Sequence, residues 1–135
     1  MSQEFSCPPL DAILDGHRRL IELYGGAPGI RDPGGIEASL ARVQQIAAYT
    51  EGHQTIFDMA AAIGFGMTRI HHPFVDGNKC VAFYATFSTL WMNGWRLDVA
   101  ERDAAEMMEQ VAMGGVEEQA FVSWLRSNCL AREQR

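Results

Sequence analysis

The chain has 135 residues, of which 47% are hydrophobic and 21% are charged, and this composition is typical of one soluble globular domain over residues 1–135, not of a disordered or fibrous protein. Its formal net charge of -6 argues against broad electrostatic binding to nucleic acid or to an anionic membrane. No apolar run approaches the roughly 20 residues that span a bilayer, and the cysteines form no C-x-x-C pair, so the sequence predicts a cytoplasmic protein without membrane anchor or disulfide framework.

The first third of the chain shows helical periodicity interrupted by a glycine-rich stretch. Apolar residues recur at three- and four-residue steps over residues 10–24, which predicts an amphipathic helix. Residues 25–35 are rich in glycine and proline and are predicted to form a surface loop with room for a short hairpin. A second helix of about three turns is predicted over residues 36–47, followed by a polar loop at residues 49–54.

Two helices in the middle of the chain are apolar on nearly every side, which predicts that both are buried. The first is predicted over residues 56–70, with Thr55 as its N-terminal cap. It contains Gly64 and Gly66, which we interpret as positions of close packing against a neighbouring helix. The second buried helix is predicted over residues 78–92.

The last third of the chain contains a short extended segment, WRLDV at residues 95–99, and two further amphipathic helices separated by a pair of glycines. The apolar positions of these two helices are Ala104, Met108, Val111, Phe121, Trp124 and Leu125. The sequence therefore predicts an all-α fold, a compact bundle of about six helices with a buried central pair.

A polar segment, HPFVDGNK at residues 72–79, joins the two buried helices. Pro73 disfavours helical geometry at His72, and the Asp-Gly pair favours a tight turn, so this connection should be short and rigidly held. The helix that begins near Asn78 presents unpaired backbone N–H groups and the positive end of its dipole. These features together suit a phosphate group.

The side chains of this segment suggest a division of roles. Gly77 lets a ligand approach the backbone closely, and Lys79 adds a positive charge. Asp76 is suited to hold a divalent ion, most simply Mg²⁺ that bridges phosphate oxygens. His72 carries an imidazole, which can take a proton from an attacking hydroxyl near neutral pH.

Other interpretations of these residues stay open. A capped helix–loop–helix turn would explain the Asp-Gly pair by geometry alone. A transition-metal site built from His71 or His72 with Asp76 and Cys80 is another interpretation, although the spacing matches no standard zinc pattern. We interpret His71 as a surface or supporting residue. His17, on the apolar face of the first helix, is predicted to be a core residue with its hydrogen bonds satisfied.

Residues 72–79 resemble the signature of the Fic/Doc family, specifically of its Doc, or death-on-curing, toxin branch. The resemblance extends to residues 25–44 and to NGWRLD at residues 93–98, and covers roughly residues 10–125. It implies an all-α domain that transfers part of a nucleoside triphosphate to a protein hydroxyl. Arg31, in the glycine-rich stretch, is a candidate contact for the nucleotide or for the target protein.

Lys79 indicates the Doc branch within this resemblance. The main Fic branch has glycine at this position and usually attaches AMP, whereas Doc members resemble kinases that transfer the terminal phosphate. Phe83 agrees with this, because Fic-type transferases usually carry a second arginine there. The resemblance implies Mg²⁺ and ATP as cofactors, a Ser or Thr hydroxyl of elongation factor Tu as the target, and an antitoxin whose disordered tail folds onto the toxin.

The resemblance also implies roles for individual residues: His72 as the base, Asp76 as the magnesium ligand, Phe74 as a core anchor, and Gly77, Asn78 and Lys79 as the phosphate cradle. In the next position of the phosphate-binding segment the family has arginine and this chain has Cys80. A charge-assisted phosphate contact contributes ~1.5–3 kcal/mol, so its loss predicts transfer that is roughly ten- to over a hundredfold slower. AMP transfer and a catalytically silent module that binds an antitoxin or target stay open as alternatives. The chain also has one extra residue before His72, which leaves His71 in excess.

Overall fold

The computed structural model describes residues 5–49 and 54–132. Within these ranges it contains six α-helices, one π-helical turn and two short strands, so the all-α prediction is confirmed. The elements are α1 (Leu10–Tyr24), α2 (Pro33–Tyr49), α3 (Gln54–Phe65), the π turn (Gly66–Ile70), α4 (Asn78–Met92), β1 (Trp95–Leu97), α5 (Glu101–Met113), α6 (Glu118–Ser127) and β2 (Cys129–Ala131). None of the helices in the described part of the chain has the length and apolar character needed to cross a bilayer.

The helix bounds follow the sequence pattern where stop signals are clear. α1 and α4 begin and end at the predicted residues, whereas α2 begins earlier than predicted, at Pro33. The reason is a local start signal: the Asp32 carboxylate accepts a hydrogen bond from the Gly35 N–H at 3.1 Å, and proline suits the first helical position. The loop predicted at residues 49–54 lies mostly outside the described residues.

The start of α3 differs from the prediction. Thr55 does not cap the helix, because α3 already includes Gln54. The buried Thr55 hydroxyl has no hydrogen-bond partner among residues 5–49 and 54–132. The predicted cap is therefore wrong, and packing of the apolar residues that follow Thr55 accounts for the helix better than local capping does.

The π turn at the end of α3 explains the extra residue that the sequence shows before His72. The His71 N–H donates to the Gly66 carbonyl, five residues back, at 2.9 Å. A π turn encloses one residue more per hydrogen bond than an α-helix does, so it can take up an insertion without ending the helix. The added Cβ of any other residue at Gly35 of α2 would lie 2.7 Å from the His71 Cβ, so the two segments pack closely at this point.

α3 and α4 form the centre of the bundle, with α2 and α6 packed on α3 and α1 packed on α4. The interpretation of the two glycines is confirmed. A side chain at Gly64 would collide with the Thr86 hydroxyl, which donates to the Ala60 carbonyl at 3.0 Å. A side chain at Gly66 would lie 2.6 Å from the Ser39 hydroxyl of α2. The close approach of these helices holds both ends of the polar segment in fixed positions.

A small antiparallel sheet ties the end of the described chain to the segment after α4. β1 pairs with β2 in the register Trp95 to Ala131 and Leu97 to Cys129. β1 lies in the predicted extended segment, whereas β2 was not predicted. A three-residue strand carries too little periodicity to be recognised from sequence, and its position is decided by its partner strand.

Candidate active site

The connection between the π turn and α4, residues 71–77, is called here the motif loop. Pro73 and Phe74 are buried, with Phe74 only 1% exposed, while Val75 and Asp76 are exposed. The expectation that Phe74 anchors the loop in the core is confirmed by this burial. The loop therefore has one half in the core and one half in solvent.

The motif loop is held by the glycine-rich stretch before α2, residues 25–32, called here the glycine loop. The N–H groups of Arg31 and Asp32 donate to the Pro73 carbonyl at 2.8 and 2.9 Å, and the Val75 N–H donates to the Gly29 carbonyl at 3.1 Å. The bonds from Arg31 and Val75 form an isolated antiparallel bridge between the two loops. Where the sequence allows a hairpin within the glycine loop, the structure shows pairing with the motif loop.

Arg31 is directed at the backbone of the candidate base. Its guanidinium donates to the His72 carbonyl at 2.6 Å. His72 has a φ of 45°, a left-handed conformation that side chains other than glycine rarely adopt, so it needs support from its surroundings. The partly exposed imidazole of His72 makes no hydrogen bond to the residues that the structure describes.

Asp76 presents a carboxylate at the exposed edge of the loop. Its Oδ1 accepts a hydrogen bond from the Gly77 N–H at 2.9 Å, and its Oδ2 accepts a weaker one from the Ala27 N–H at 3.3 Å. Each oxygen keeps a further lone pair. An exposed carboxylate of this kind fits Mg²⁺, which proteins often hold through one or two carboxylates, with substrate phosphates and water completing the shell.

The transition-metal interpretation receives no support from the described ranges. No three histidine, cysteine, aspartate or glutamate side chains come together there as a group that could hold a metal ion. Magnesium bound mainly by phosphate oxygens needs no such group.

The start of α4 has the features of an anion site. Gly77 lies in the left-handed region, with φ 80° and ψ 16°, which glycine adopts freely and which turns the chain into the helix. Gly77 is the N-cap residue of α4 and has no side chain with which to cap the helix. The first helical hydrogen bond runs from the Val81 N–H to the Gly77 carbonyl, so the N–H groups of residues 78–80 precede the helical ladder and can bind phosphate oxygens.

Asn78 uses its side chain to close the motif loop. Its Oδ1 accepts from the Phe74 N–H and its Nδ2 donates to the Phe74 carbonyl, both at 2.9 Å. The oxygen and the nitrogen of the amide thus each bind the backbone of the same residue. Asn78 can contribute to a phosphate cradle through its own backbone N–H, and its side chain has a supporting role that the sequence alone does not reveal.

Lys79 and Cys80 lie on the exposed side of the first turn of α4. The Lys79 ammonium lies 2.5 Å from an Oε of Glu109 on α5, an ion pair in which both side chains are about half exposed. Cys80 is exposed, whereas burial raises the pKa of the Cys7 thiol and raises that of Cys129 to about 11. The position at which the family has arginine therefore carries the most accessible of the three thiols.

α1 forms the wall behind the motif loop. His17 is buried, as predicted for a core residue, and its ring stacks on Phe74 with centroids 3.8 Å apart. Its Nε2 lies 2.7 Å from the Asp76 carbonyl oxygen. A groove of about 410 Å³ runs between α1 and the glycine loop, with His17 and Phe74 among its lining residues. The sequence pattern places His17 in the core but does not reveal this contact with the loop.

Comparisons with known proteins show which family the sequence resembles. A family model described as the Fic/DOC family matches residues 7–90, a range that contains both loops and most of α4. The chain is 34% identical over 91 residues to "Toxin Doc" of Mycolicibacterium smegmatis, a match that covers 66% of this chain and 69% of that protein. It is 36% identical over 84 residues to "Protein kinase doc" of Escherichia phage P1, covering 62% of this chain and 65% of that protein.

Proposed function

Because the chain belongs to the Fic/Doc family, we propose that it is a Doc-like toxin that transfers the terminal phosphate of ATP to a Ser or Thr hydroxyl of a protein. The names of the two relatives support the toxin and kinase parts of this proposal. The observation that carries it is the start of α4, where an uncapped helix end follows Gly77 and the exposed carboxylate of Asp76. Free N–H groups at a helix start suit the phosphate chain, and an adjacent carboxylate suits its metal ion.

In the proposed reaction the protein contributes mainly position and charge. The N–H groups at the start of α4 hold the phosphates of ATP, and Lys79 adds a positive charge beside them. Asp76 would hold Mg²⁺, and the bound ion would stabilise the negative charge that develops during transfer.

His72 is the base in this reaction. As the target oxygen forms its bond to the terminal phosphorus, the hydroxyl proton passes to the His72 imidazole and the bond from phosphorus to the ADP oxygen breaks. The products are a phosphorylated target protein, ADP and a protonated imidazole. The imidazole then returns its proton to water.

Cys80 weakens the reaction without removing its geometry. An arginine at this position would make a charge-assisted contact with phosphate, which a thiol cannot replace. We therefore expect transfer by this chain to be roughly ten- to over a hundredfold slower than by a Cys80→Arg variant. The presence of Cys80 where the family has arginine also supports a second candidate function. In this alternative the protein is a catalytically silent module that retains antitoxin or target binding.

The proposed target is elongation factor Tu, and the proposed partner is an antitoxin with a tail that folds on binding. Both proposals rest on the resemblance to the Doc branch and on the relative named as a toxin. A cytoplasmic location follows from this target.

The decisive experiment uses elongation factor Tu with ATP labelled at either the alpha or the gamma phosphate. We expect label from the gamma position alone to appear on the factor, and mass spectrometry should locate it on a threonine or serine. Label from the alpha position on the factor would contradict phosphoryl transfer and would indicate AMP transfer instead.

Two substitutions at Cys80 separate weakened catalysis from a silent module. Cys80→Arg should raise the rate and cause growth arrest in cells, while Cys80→Lys should raise it less, because an ammonium lacks the bidentate geometry of a guanidinium. The double variant His72→Ala/Cys80→Arg is the matched control for activity that does not depend on the base. No label with Cys80→Arg would favour the silent module.

A further inference from the structure

His17 of α1 contacts the motif loop in a way that its role as a core residue does not explain. It lies 59 residues before Asp76 in the chain and is 5% exposed, yet its Nε2 is 2.7 Å from the Asp76 carbonyl oxygen. A carbonyl oxygen only accepts hydrogen bonds, so Nε2 must carry the proton and donate. This is a part-buried hydrogen bond from the side chain of one helix to the backbone of the loop.

The bonded carbonyl belongs to the peptide group that joins Asp76 to Gly77. In a trans peptide the carbonyl and the N–H point in opposite directions, and the unit is planar. Binding of the carbonyl by His17 on the α1 side therefore turns the Gly77 N–H away from α1. There it donates to Oδ1 of Asp76 at 2.9 Å. One hydrogen bond from α1 thus orients both the donor of Gly77 and the carboxylate that it contacts.

The imidazole is itself held in place. Its ring stacks on Phe74, with centroids 3.8 Å apart and an interplanar angle of 11°. A Cβ added at Gly77 would lie 3.5 Å from the imidazole and 3.3 Å from Ile21 of α1, so the turn rests directly against this helix. Because Phe74 is fixed by Asn78 through two hydrogen bonds, the imidazole has little freedom to rotate.

We propose that His17 is a positioning residue for the phosphate and magnesium site: its Nε2–H fixes the Asp76–Gly77 peptide, so that the Gly77 N–H holds the Asp76 carboxylate in place beside the start of α4. This inference rests on the proposed function for the identity of the ligand. It assigns to a buried residue of α1 an effect on nucleotide affinity that is separate from its effect on folding.

Three substitutions separate the N–H from the ring. His17→Phe keeps a flat ring for the stack with Phe74 but has no donor. His17→Gln places an N–H at the reach of Nε2 but has no ring, and His17→Asn carries its N–H one bond short of that reach. Each variant is compared with the unmodified chain by calorimetric titration with Mg-ATP, well below the thermal midpoint of the least stable variant.

We expect His17→Phe to weaken Mg-ATP binding roughly three- to tenfold, the usual effect of one hydrogen bond, while His17→Gln keeps affinity within about twofold. Affinity of His17→Phe equal to that of the unmodified chain would overturn the inference. So would equal losses in the Phe and Gln variants, because shape and not the N–H would then matter. If His17→Phe does not fold, the Gln and Asn pair makes the same test, and equal affinities in that pair overturn the inference.

A second measurement does not depend on nucleotide binding. The carbonyl ¹³C signal of Asp76 and the amide signal of Gly77 report the hydrogen bond and the peptide orientation in the free protein. We expect both to move in His17→Phe and to stay near their original positions in His17→Gln. If the unmodified chain binds no Mg-ATP, the proposed function fails. The NMR signals then decide the role of His17: unchanged signals in His17→Phe overturn the inference, and the expected pattern supports it.

Discussion

The motif loop and the first turn of α4 together span residues 71–80, and their buried and exposed halves differ in the groups that they bind. In the buried half, Phe74 is enclosed by the core and both of its backbone groups bind the side chain of Asn78. In the exposed half, Asp76 and Cys80 face solvent, and the imidazole of His72 makes no hydrogen bond within the described ranges. The loop is thus held mainly by buried groups and backbone, and the side chains proposed for chemistry lie on its exposed side.

This contrast teaches that support and chemistry can be changed separately. Substitution in the exposed half should change the rate of transfer, with loss at His72 or Asp76 and gain in Cys80→Arg, while the free energy of unfolding stays nearly constant. Substitution in the buried half should reduce both. Lys79 is an intermediate case: its side chain lies in the exposed half but also forms an ion pair with Glu109.

The largest effect is expected from His72→Ala. Loss of a general base lowers the rate by roughly 10²–10⁴-fold, and phosphoryl transfer by the Cys80→Arg background should fall by this factor. Stability should hardly change, because Arg31 binds the carbonyl of residue 72 and not the imidazole. Thermal denaturation is the control: a midpoint lowered by ten degrees or more would place the imidazole among the supporting groups.

Phe74→Ala should have the next largest effect, now on stability. The ring is 1% exposed and stacks on His17, so its removal leaves a cavity and should lower the free energy of unfolding by about 3–5 kcal/mol. Urea denaturation measures the change. Phe74→Leu is the matched control, which should lose less because it fills most of the volume. A loss below about 1 kcal/mol for alanine would mean that the loop does not depend on this anchor.

Asp76→Ala should weaken binding of ATP in the presence of Mg²⁺ by roughly 10–100-fold, the range seen when groups around a metal are changed. Binding measured with EDTA should change much less, because the backbone N–H groups remain. Equal losses with and without Mg²⁺ would show that the carboxylate supports the loop and does not hold the ion.

Asn78→Ala removes both hydrogen bonds to Phe74 and should lower the free energy of unfolding by about 1–3 kcal/mol. Asn78→Asp is a useful companion, since it keeps the acceptor and loses the donor. It should recover part of the stability, but its negative charge should still weaken ATP binding at the start of α4. Full stability in the alanine variant would argue that the two bonds do not hold the loop.

The smallest effect is expected from Glu109→Gln. The ion pair with Lys79 is half exposed, so the free energy of unfolding should change by less than about 1 kcal/mol. Release of Lys79 should strengthen ATP binding about two- to threefold if Glu109 competes with phosphate for the ammonium. A weaker affinity would instead indicate that Glu109 orients Lys79 towards the nucleotide.

Much of the fold could be read from local patterns. The bounds of α1 and α4 could be predicted because α1 has a clear apolar period that ends at a glycine pair, and α4 is an apolar run between the Asp-Gly turn and the Asn-Gly stop. The N-terminal cap at Thr55 was mispredicted because packing, and not capping chemistry, decides where a buried helix starts. The start of α2 at Pro33 could have been predicted from the Asp32-Pro33 pair, which is a helix-start signal. The prediction used only the apolar period and therefore placed the start too late.

The candidate site divides in the same way. The residue types of HPFVDGNK and their order along a turn into a helix are local properties, so the sequence by itself determined which side chains stand at this turn as candidates for the proposed roles. Only the tertiary structure decided how these groups are held: Arg31 on the His72 carbonyl, His17 on the Asp76 carbonyl, and Glu109 on Lys79. These pairs are 41, 59 and 30 residues apart, and no periodicity within one element reports a contact that depends on how separate elements pack.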